Sequence, residues 1–349
     1  MRWSTKIAAP PAGGVVVAGG ATVVPLQDES LIAHALRDGS VLWTIEIAPT
    51  QPLAADGERV YVVAGEVIQA VAVRTGHVTW RVSAGGAITA PPLAHAGWVI
   101  VSAAGELLAV RAADGQTVWR LAVGLVEFRP ALDGDLLIAV AEDGHVLALD
   151  LPTGGVRWRR ALGARPTEPF VLGNSVYVGT DAKWFYALRA SDGRRDWRWR
   201  GAVVRGRAAA DDRHIYYAGM DNMLRAIDRR NGALRWQSGL PYRPLAGPVI
   251  LPGGAVVPGT VQALPVFRRT DGGDAGQIRF AAELTALPAF GADPNGAPLV
   301  IGVLGSLQDQ WTITLLEGSL VPAMPLAPLK ELPGEVVPIA GAVGAAAGR

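Results

Sequence analysis

DGQTVW, residues 114–119, recurs with small changes along most of the chain. A Gly followed four residues later by a Trp returns in DGSVLW from Asp38, TGHVTW from Thr75, TGGVRW from Thr153, DGRRDW from Asp192 and NGALRW from Asn231. The Trp residues stand at 43, 80, 119, 158, 197 and 236, so successive copies are 37, 39, 39, 39 and 39 residues apart. GQIRF (276–280) reads as a further copy with Phe280 in the Trp position, and Trp3 lies one period before Trp43. A fixed period of roughly 40 residues marks repeat architecture, and periods of about 40–45 suit four-stranded propeller blades.

One period shows what each repeat builds. After Trp158 come EPFVLG, NSVYVGTD, KWFYALRA and then DGRRDW, which read as four short strands with no room for a helix. DLLIAVAEDG with HVLALDLPTG, and HIYYAGMD with MLRAIDRRNG, follow the same scheme. The Asp-Gly, Thr-Gly or Asn-Gly pair falls where the third strand turns into the fourth, and Gly supplies a positive φ there without a steric penalty. The next Trp opens the outer strand, where a large flat side chain can pack across the neighbouring blade. Trp3, Trp43, Trp80, Trp119, Trp158, Trp197, Trp236 and Phe280 are therefore expected to dock blade on blade. A lone blade cannot bury both faces of its sheet, so stacking into a closed ring supplies the core and covers strand edges.

The pattern predicts an all-β, eight-bladed propeller over residues 1–317, with four antiparallel strands per blade. Seven blades is the alternative. The last group, TALPAF, APLVIGVL and QWTITLLEG, has three strands, and RWSTKI has a fourth strand with no earlier three, so the N-terminal strand is expected to close the ring. A second parse places GEVVPIAG (334–341) as the last outer strand. Residues 318–349 otherwise read as a tail rich in Pro, Ala and Gly.

Composition narrows the function classes. Of 349 residues, 50% are hydrophobic and 18% charged, and the net charge of +1 argues for neither nucleic acid nor an anionic membrane surface. The longest apolar run, GGVVVAGGATVVPL from Gly13, is short, β-branched and broken by Gly pairs, so it reads as buried strand, not as a membrane span. There is no Cys, which excludes disulfides, thiolate catalysis and Cys-ligated metal. His34, His77, His95, His145 and His214 are scattered over different repeats without ligand spacing. Asp28-Glu29 and Asp211-Asp212 sit in turns, and no G-x-S-x-G elbow or phosphate loop is present. Neither a catalytic site, a cofactor nor a metal is expected.

Charge does gather in one place. The connections from one outer strand to the next inner strand lie at one end of a propeller, around its channel. APTQP and SAGGAITAPP lack Arg, but the next four connections carry Arg129 in VEFRPA, Arg165 in GARPTEP, Arg205 and Arg207 in VVRGRAAA, and Arg243 in PYRPLAG. An arc of Arg over half of one face is a candidate docking surface for an acidic partner segment, since the guanidinium fork matches carboxylates.

LALDLPTGGVRW (147–158) and YALRASDGRRDW (186–197) resemble the tryptophan-docking repeat of the PQQ-type β-propellers. That superfamily includes quinoprotein alcohol and glucose dehydrogenases and cofactor-free scaffolds of the BamB-like branch. The near-minimal repeats resemble the latter, since the dehydrogenases carry long loops, a Ca²⁺ site and, in alcohol dehydrogenases, an adjacent Cys pair. The resemblance implies a scaffold that assists outer-membrane β-barrel assembly, with the periplasmic repeat domains of a β-barrel assembly protein as partner. It implies a periplasmic, outer-membrane-associated location if a signal or lipid-attachment segment precedes Met1, which itself opens no signal peptide; the cytoplasm is the alternative. A PQQ-dependent oxidoreductase, or a propeller subunit of another membrane-associated complex, are the competing expectations.

Overall fold

The computed structural model describes residues 3–292, 298–305 and 311–317. Among these the strands form eight four-stranded sheets, every neighbouring pair antiparallel. The first strand, β1 (Trp3–Ile7), stands apart from its neighbours in sequence. Blade 1 follows as β2 (Val16–Ala18), β3 (Ala21–Pro25), β4 (Ser30–Ala35) and β5 (Val41–Glu46), paired in sequence order. Blades 2 to 7 repeat that order over residues 54–83, 93–122, 131–161, 170–200, 204–239 and 249–279.

Blade 8 joins the two ends of the propeller. Ala289–Ala292, Pro298–Gly305 and Trp311–Glu317 supply three strands, and β1 is the fourth, with Trp3 opposite Leu315 and Ile7 opposite Trp311. Ser4 and Thr314 hydroxyls meet across this pair at 3.0 Å. The ring thus has eight blades and is latched by the N-terminal strand, which sets the seven-blade alternative aside. Residues 318–349, including the 334–341 segment, lie outside the described residues.

The apolar core is divided into eight clusters, one at each blade interface. Val60 and Val62 face blade 1 while their neighbours Tyr61 and Val63 face blade 3, so alternate residues of one strand serve two interfaces. This is why the two middle strands of a blade read as unbroken hydrophobic runs: both faces of the sheet are covered. The outer strands alternate instead, as in β5, where Trp43 is buried and its neighbours are exposed.

The Gly and the Trp of the repeat meet between blades, never within one. A Cβ on Gly154 would fall 2.7 Å from Trp119 of the preceding blade, and Gly76, Gly115, Gly193 and Gly232 stand in the same relation to Trp43, Trp80, Trp158 and Trp197. Gly39 likewise floors the ring of Trp3, so the latch strand docks as the other blades do. The indole N–H then donates to a backbone carbonyl beside that hairpin: Trp3 to Leu36, Trp43 to Val73, Trp80 to Ala112, Trp119 to Leu151, Trp158 to Ala190, Trp197 to Arg229 and Trp236 to Arg269, at 2.6–2.9 Å. Within its own blade each Trp from 43 to 236 pairs with an Ala of the third strand, next to a bulge.

Blade 7 corrects the reading of GQIRF. Its hairpin glycine is Gly272, which lies under the Trp236 ring with φ 71°, and the position four residues on holds Gly276, not an aromatic ring. Phe280 is four residues further, just beyond the last strand of the blade. It is buried and packs against Gly302 of blade 8 and against Leu284. The blade 8 hairpin that would receive a Trp is missing because its outer strand comes from the other end of the chain.

Candidate functional site

The connections between blades share one end of the ring with the turns between second and third strands. Backbone bonds tie the two sets together, as in Glu142 N–H to Leu125 O and Asp181 N–H to Arg165 O. The five Arg residues all lie at this end, but they do not form one arc. They divide into three groups.

Arg165 is committed within the protein. It pairs with Glu127 and, at 3.4 Å, with Glu142, both from the neighbouring blade. Its charge is thereby covered.

Arg205 and Arg243 are exposed. Arg205 donates from Nε to the Leu245 carbonyl at 3.3 Å, and neither makes an ion pair among the described residues. Leu245, 40% exposed, lies in the same connection as Arg243. A cationic and aliphatic patch of this kind has the composition of a protein interface, where Arg is enriched.

Arg129 and Arg207 are half-buried. Arg205 and Arg207 belong to the inner strand Val204–Ala210, not to a loop, and a register shift between Arg205 and Ala209 separates their directions. Gly206 allows this bulge: its φ is 65°, and a Cβ there would come within 2.3 Å of the Gly247 nitrogen. Arg207 lies with Cζ 5.1 Å from the Phe170 ring centre. Arg129 extends across the mouth and donates to the Leu53 carbonyl of blade 2 at 3.4 Å.

Both guanidiniums act electrostatically on Glu168, the acidic residue of GARPTEP. It was not among the expected site residues, although it is the single carboxylate in a connection that otherwise offers Arg. Burial lifts its carboxyl above the usual range, and the attraction of Arg129 and Arg207 does not fully offset that. Burial also lowers both guanidiniums, with Glu168 opposing the shift.

The opposite end carries a groove of about 510 Å³ between blades 6 and 7, lined by Arg213, His214, Asp228, Arg230, Arg235 and Thr270. Its acids are engaged: Asp228 pairs with Arg235, and Asp211 beneath it accepts from the Tyr216 hydroxyl at 2.6 Å.

A family model described as outer membrane protein assembly factor BamB matches residues 1–124 and 103–249, which together span residues 1–249 of 349. The chain belongs to this family. No curated protein matches it. Among solved structures, BamB from Moraxella catarrhalis is 17% identical, with a TM-score of 0.68 over 89% of this chain and 99% of the other. The quinohemoprotein alcohol dehydrogenase ADHIIG from Pseudomonas putida HK5 is 12% identical, with a TM-score of 0.71 over 93% of this chain and 78% of the other. A europium-containing methanol dehydrogenase is 13% identical, with a TM-score of 0.69 over 87% and 84%. At such identities the structural likeness carries the fold alone.

The quinoprotein neighbours make a quinone with a metal ion the group to test against this BamB-family channel. A hard cation needs several converging oxygen ligands. Among the described residues no three His, Asp or Glu side chains gather to hold a metal, and Glu168 faces two guanidiniums. These residues do not fit a metal-assisted quinone site. Among the described residues no helix is long and apolar enough to cross a membrane.

Proposed function

We propose that this BamB-family propeller is a non-catalytic scaffold that assists the assembly of outer-membrane β-barrel proteins and acts in the periplasm at the outer membrane. Its partner is a protein, and the periplasmic repeat domains of a β-barrel assembly protein are the expected one. The observation that carries the reading is the exposed patch of Arg205, Arg243 and Leu245 at the connection end. These are two charges without an ion pair among the described residues, held beside an aliphatic side chain on a rigid ring.

A rigid ring suits this role. Each blade is fixed by two apolar interfaces and a Trp–carbonyl bond, so the connection face is presented with little ordering left to be done on binding. An acidic segment of the partner would meet Arg205 and Arg243, while Leu245 supplies apolar contact.

The test is affinity capture of the protein after crosslinking in intact cells. Recovery of an outer-membrane barrel assembly protein supports the scaffold. Recovery of a different membrane complex alone would keep an interaction role and discard the barrel-assembly one. Dye reduction on addition of the quinone and Ca²⁺ would overturn the non-catalytic reading.

A further inference from the structure

The repeats serve as controls for one another, and at the hairpin end blades 6 and 7 depart from the rest. The residue whose carbonyl receives the indole N–H is Leu36, Val73, Ala112, Leu151 or Ala190 in blades 1 to 5, but Arg229 and Arg269 in blades 6 and 7. The backbone makes that bond whatever the side chain, so blade docking does not call for arginine. The turn between first and second strands contains a Gly in blades 1 to 5 and 7, yet in blade 6 it reads Asp211-Asp212-Arg213.

These departures meet in one place. Arg213, Arg230 and Arg235 line the groove of about 510 Å³ between blades 6 and 7, and Arg269 borders the hollow that adjoins it. Asp228 pairs with Arg235. Arg213, Arg230 and Arg269 are exposed, and none of their guanidiniums makes an ion pair or hydrogen bond among the described residues. Asp211 is already occupied by the Tyr216 hydroxyl and the backbone N–H groups of Arg213 and His214. Together the three surrounding turns (211–214, 228–235 and 268–271) carry six Arg against four Asp, a surplus of two positive charges. The wider field has the same sign. Residues 170–279 hold 17 Lys and Arg against 9 Asp and Glu, whereas the rest of the chain holds 15 against 22. The near-zero net charge therefore hides a ring with a cationic side, which draws anions towards the groove.

We propose that this groove binds a phosphate monoester carried on a hydroxylated body, the chemistry of a phosphorylated sugar. Arg213 and Arg230 take the phosphate, whose charge of about −1.5 to −2 at neutral pH matches the surplus. Its three terminal oxygens suit two guanidinium forks, whereas a carboxylate would neutralise one charge and leave the second uncovered. At about 30 Å³ for each water in the liquid, the groove holds about seventeen waters, more than a bare phosphate fills. No hydrophobic residue lines it, and the Thr270 hydroxyl and Asp228 carboxylate are placed to bind hydroxyls of the body. A free sugar phosphate and the phosphorylated sugar headgroup of a lipid present the same group. The site lies at the opposite end from Arg205 and Arg243 and is independent of the scaffold reading.

Calorimetric titration of the full chain at about 0.15 M ionic strength tests the free form, with glucose-6-phosphate, glucuronate and glucose as probes. Cosedimentation with phosphatidylcholine vesicles containing either phosphatidylinositol phosphate or phosphatidylinositol tests the headgroup. At least one phosphorylated probe should bind at least tenfold tighter than its counterparts without phosphate, and which one binds identifies the source. Arg213→Gln and Arg230→Gln should each weaken that binding at least tenfold. Arg74→Gln, at the position in the blade 2 hairpin that Arg230 holds in blade 6, should leave it unchanged. No binding of either phosphorylated probe at millimolar concentration would overturn the site. So would equal affinity for a probe with and without phosphate, or an equal loss in Arg74→Gln. The comparison between probes needs no substitution, so it holds even if a variant misfolds.

Discussion

Replacing Gly154 by Ala would place a Cβ 2.7 Å from Trp119 at a backbone φ of 72°. The left-handed backbone costs a residue with a Cβ about 1–2 kcal/mol, and overpacking the ring adds about 1–3 kcal/mol. Gly154→Ala should therefore destabilise by about 2–5 kcal/mol in all. In a Trp119→Ala background the second part vanishes, and the same substitution should cost only about 1–2 kcal/mol. Denaturant titration of the two single variants and the double variant measures the coupling, and strict additivity would refute the contact. Sequence alone showed that the glycine turns the hairpin. It could not show that the glycine is also the floor for a Trp 35 residues earlier, because that contact exists only once two blades are stacked.

Two turns make a second residue-scale device. Burial alone would raise Asp56, but the Tyr61 hydroxyl and the backbone N–H groups of Glu58 and Arg59 outweigh it and hold the carboxyl below its usual value. Asp211 is held low in the same way by Tyr216, His214 and Arg213. A depressed folded pKa contributes stability above the unfolded value of about 4, and that stability is lost as pH falls through the folded value. Denaturation midpoints should therefore drop as pH falls below about 4. Asp56→Asn with Asp211→Asn should flatten that decline; an unchanged slope would show that these turns do not contribute.

At the scale of elements, the ring depends on one strand added from a distance. β1 pairs with Trp311–Glu317, and the Ser4 and Thr314 hydroxyls are 3.0 Å apart. The chain has no Cys, so Ser4→Cys with Thr314→Cys creates a single, unambiguous thiol pair. Mild oxidation should form a disulfide and stabilise the protein by about 2–4 kcal/mol. Two thiols that stay free under oxidation would contradict the latch. The strands, their order and this closure were all legible in the sequence, because a period near 39 fixes the hairpins and an unmatched fourth strand at one end needs three at the other. In blade 7 the hairpin glycine is Gly272, four residues before the Gly of GQIRF. Gly276 occupies the Trp position there, and Phe280, four residues on, packs against Gly302 of blade 8 and so sits at the interface between the two blades.

At the scale of the molecule, position along the chain predicted which end the Arg residues occupy but not where their side chains go. A bulge at Gly206 and a pair of neighbouring Glu residues decide that, and neither has a sequence signature. Arg205→Ala combined with Arg243→Ala should weaken capture of a partner at least tenfold while changing stability by no more than about 0.5 kcal/mol. Arg165→Ala is a poor probe of the same surface, since it would leave Glu127 and Glu142 uncovered. The most direct measurement is crosslinking in intact cells followed by mass spectrometry of the crosslinked peptides. Linkage of the connection end near Arg205, Arg243 and Leu245 to an outer-membrane barrel assembly protein is the predicted result. Linkages confined to the hairpin end, or to proteins with no part in barrel assembly, would contradict the proposed role.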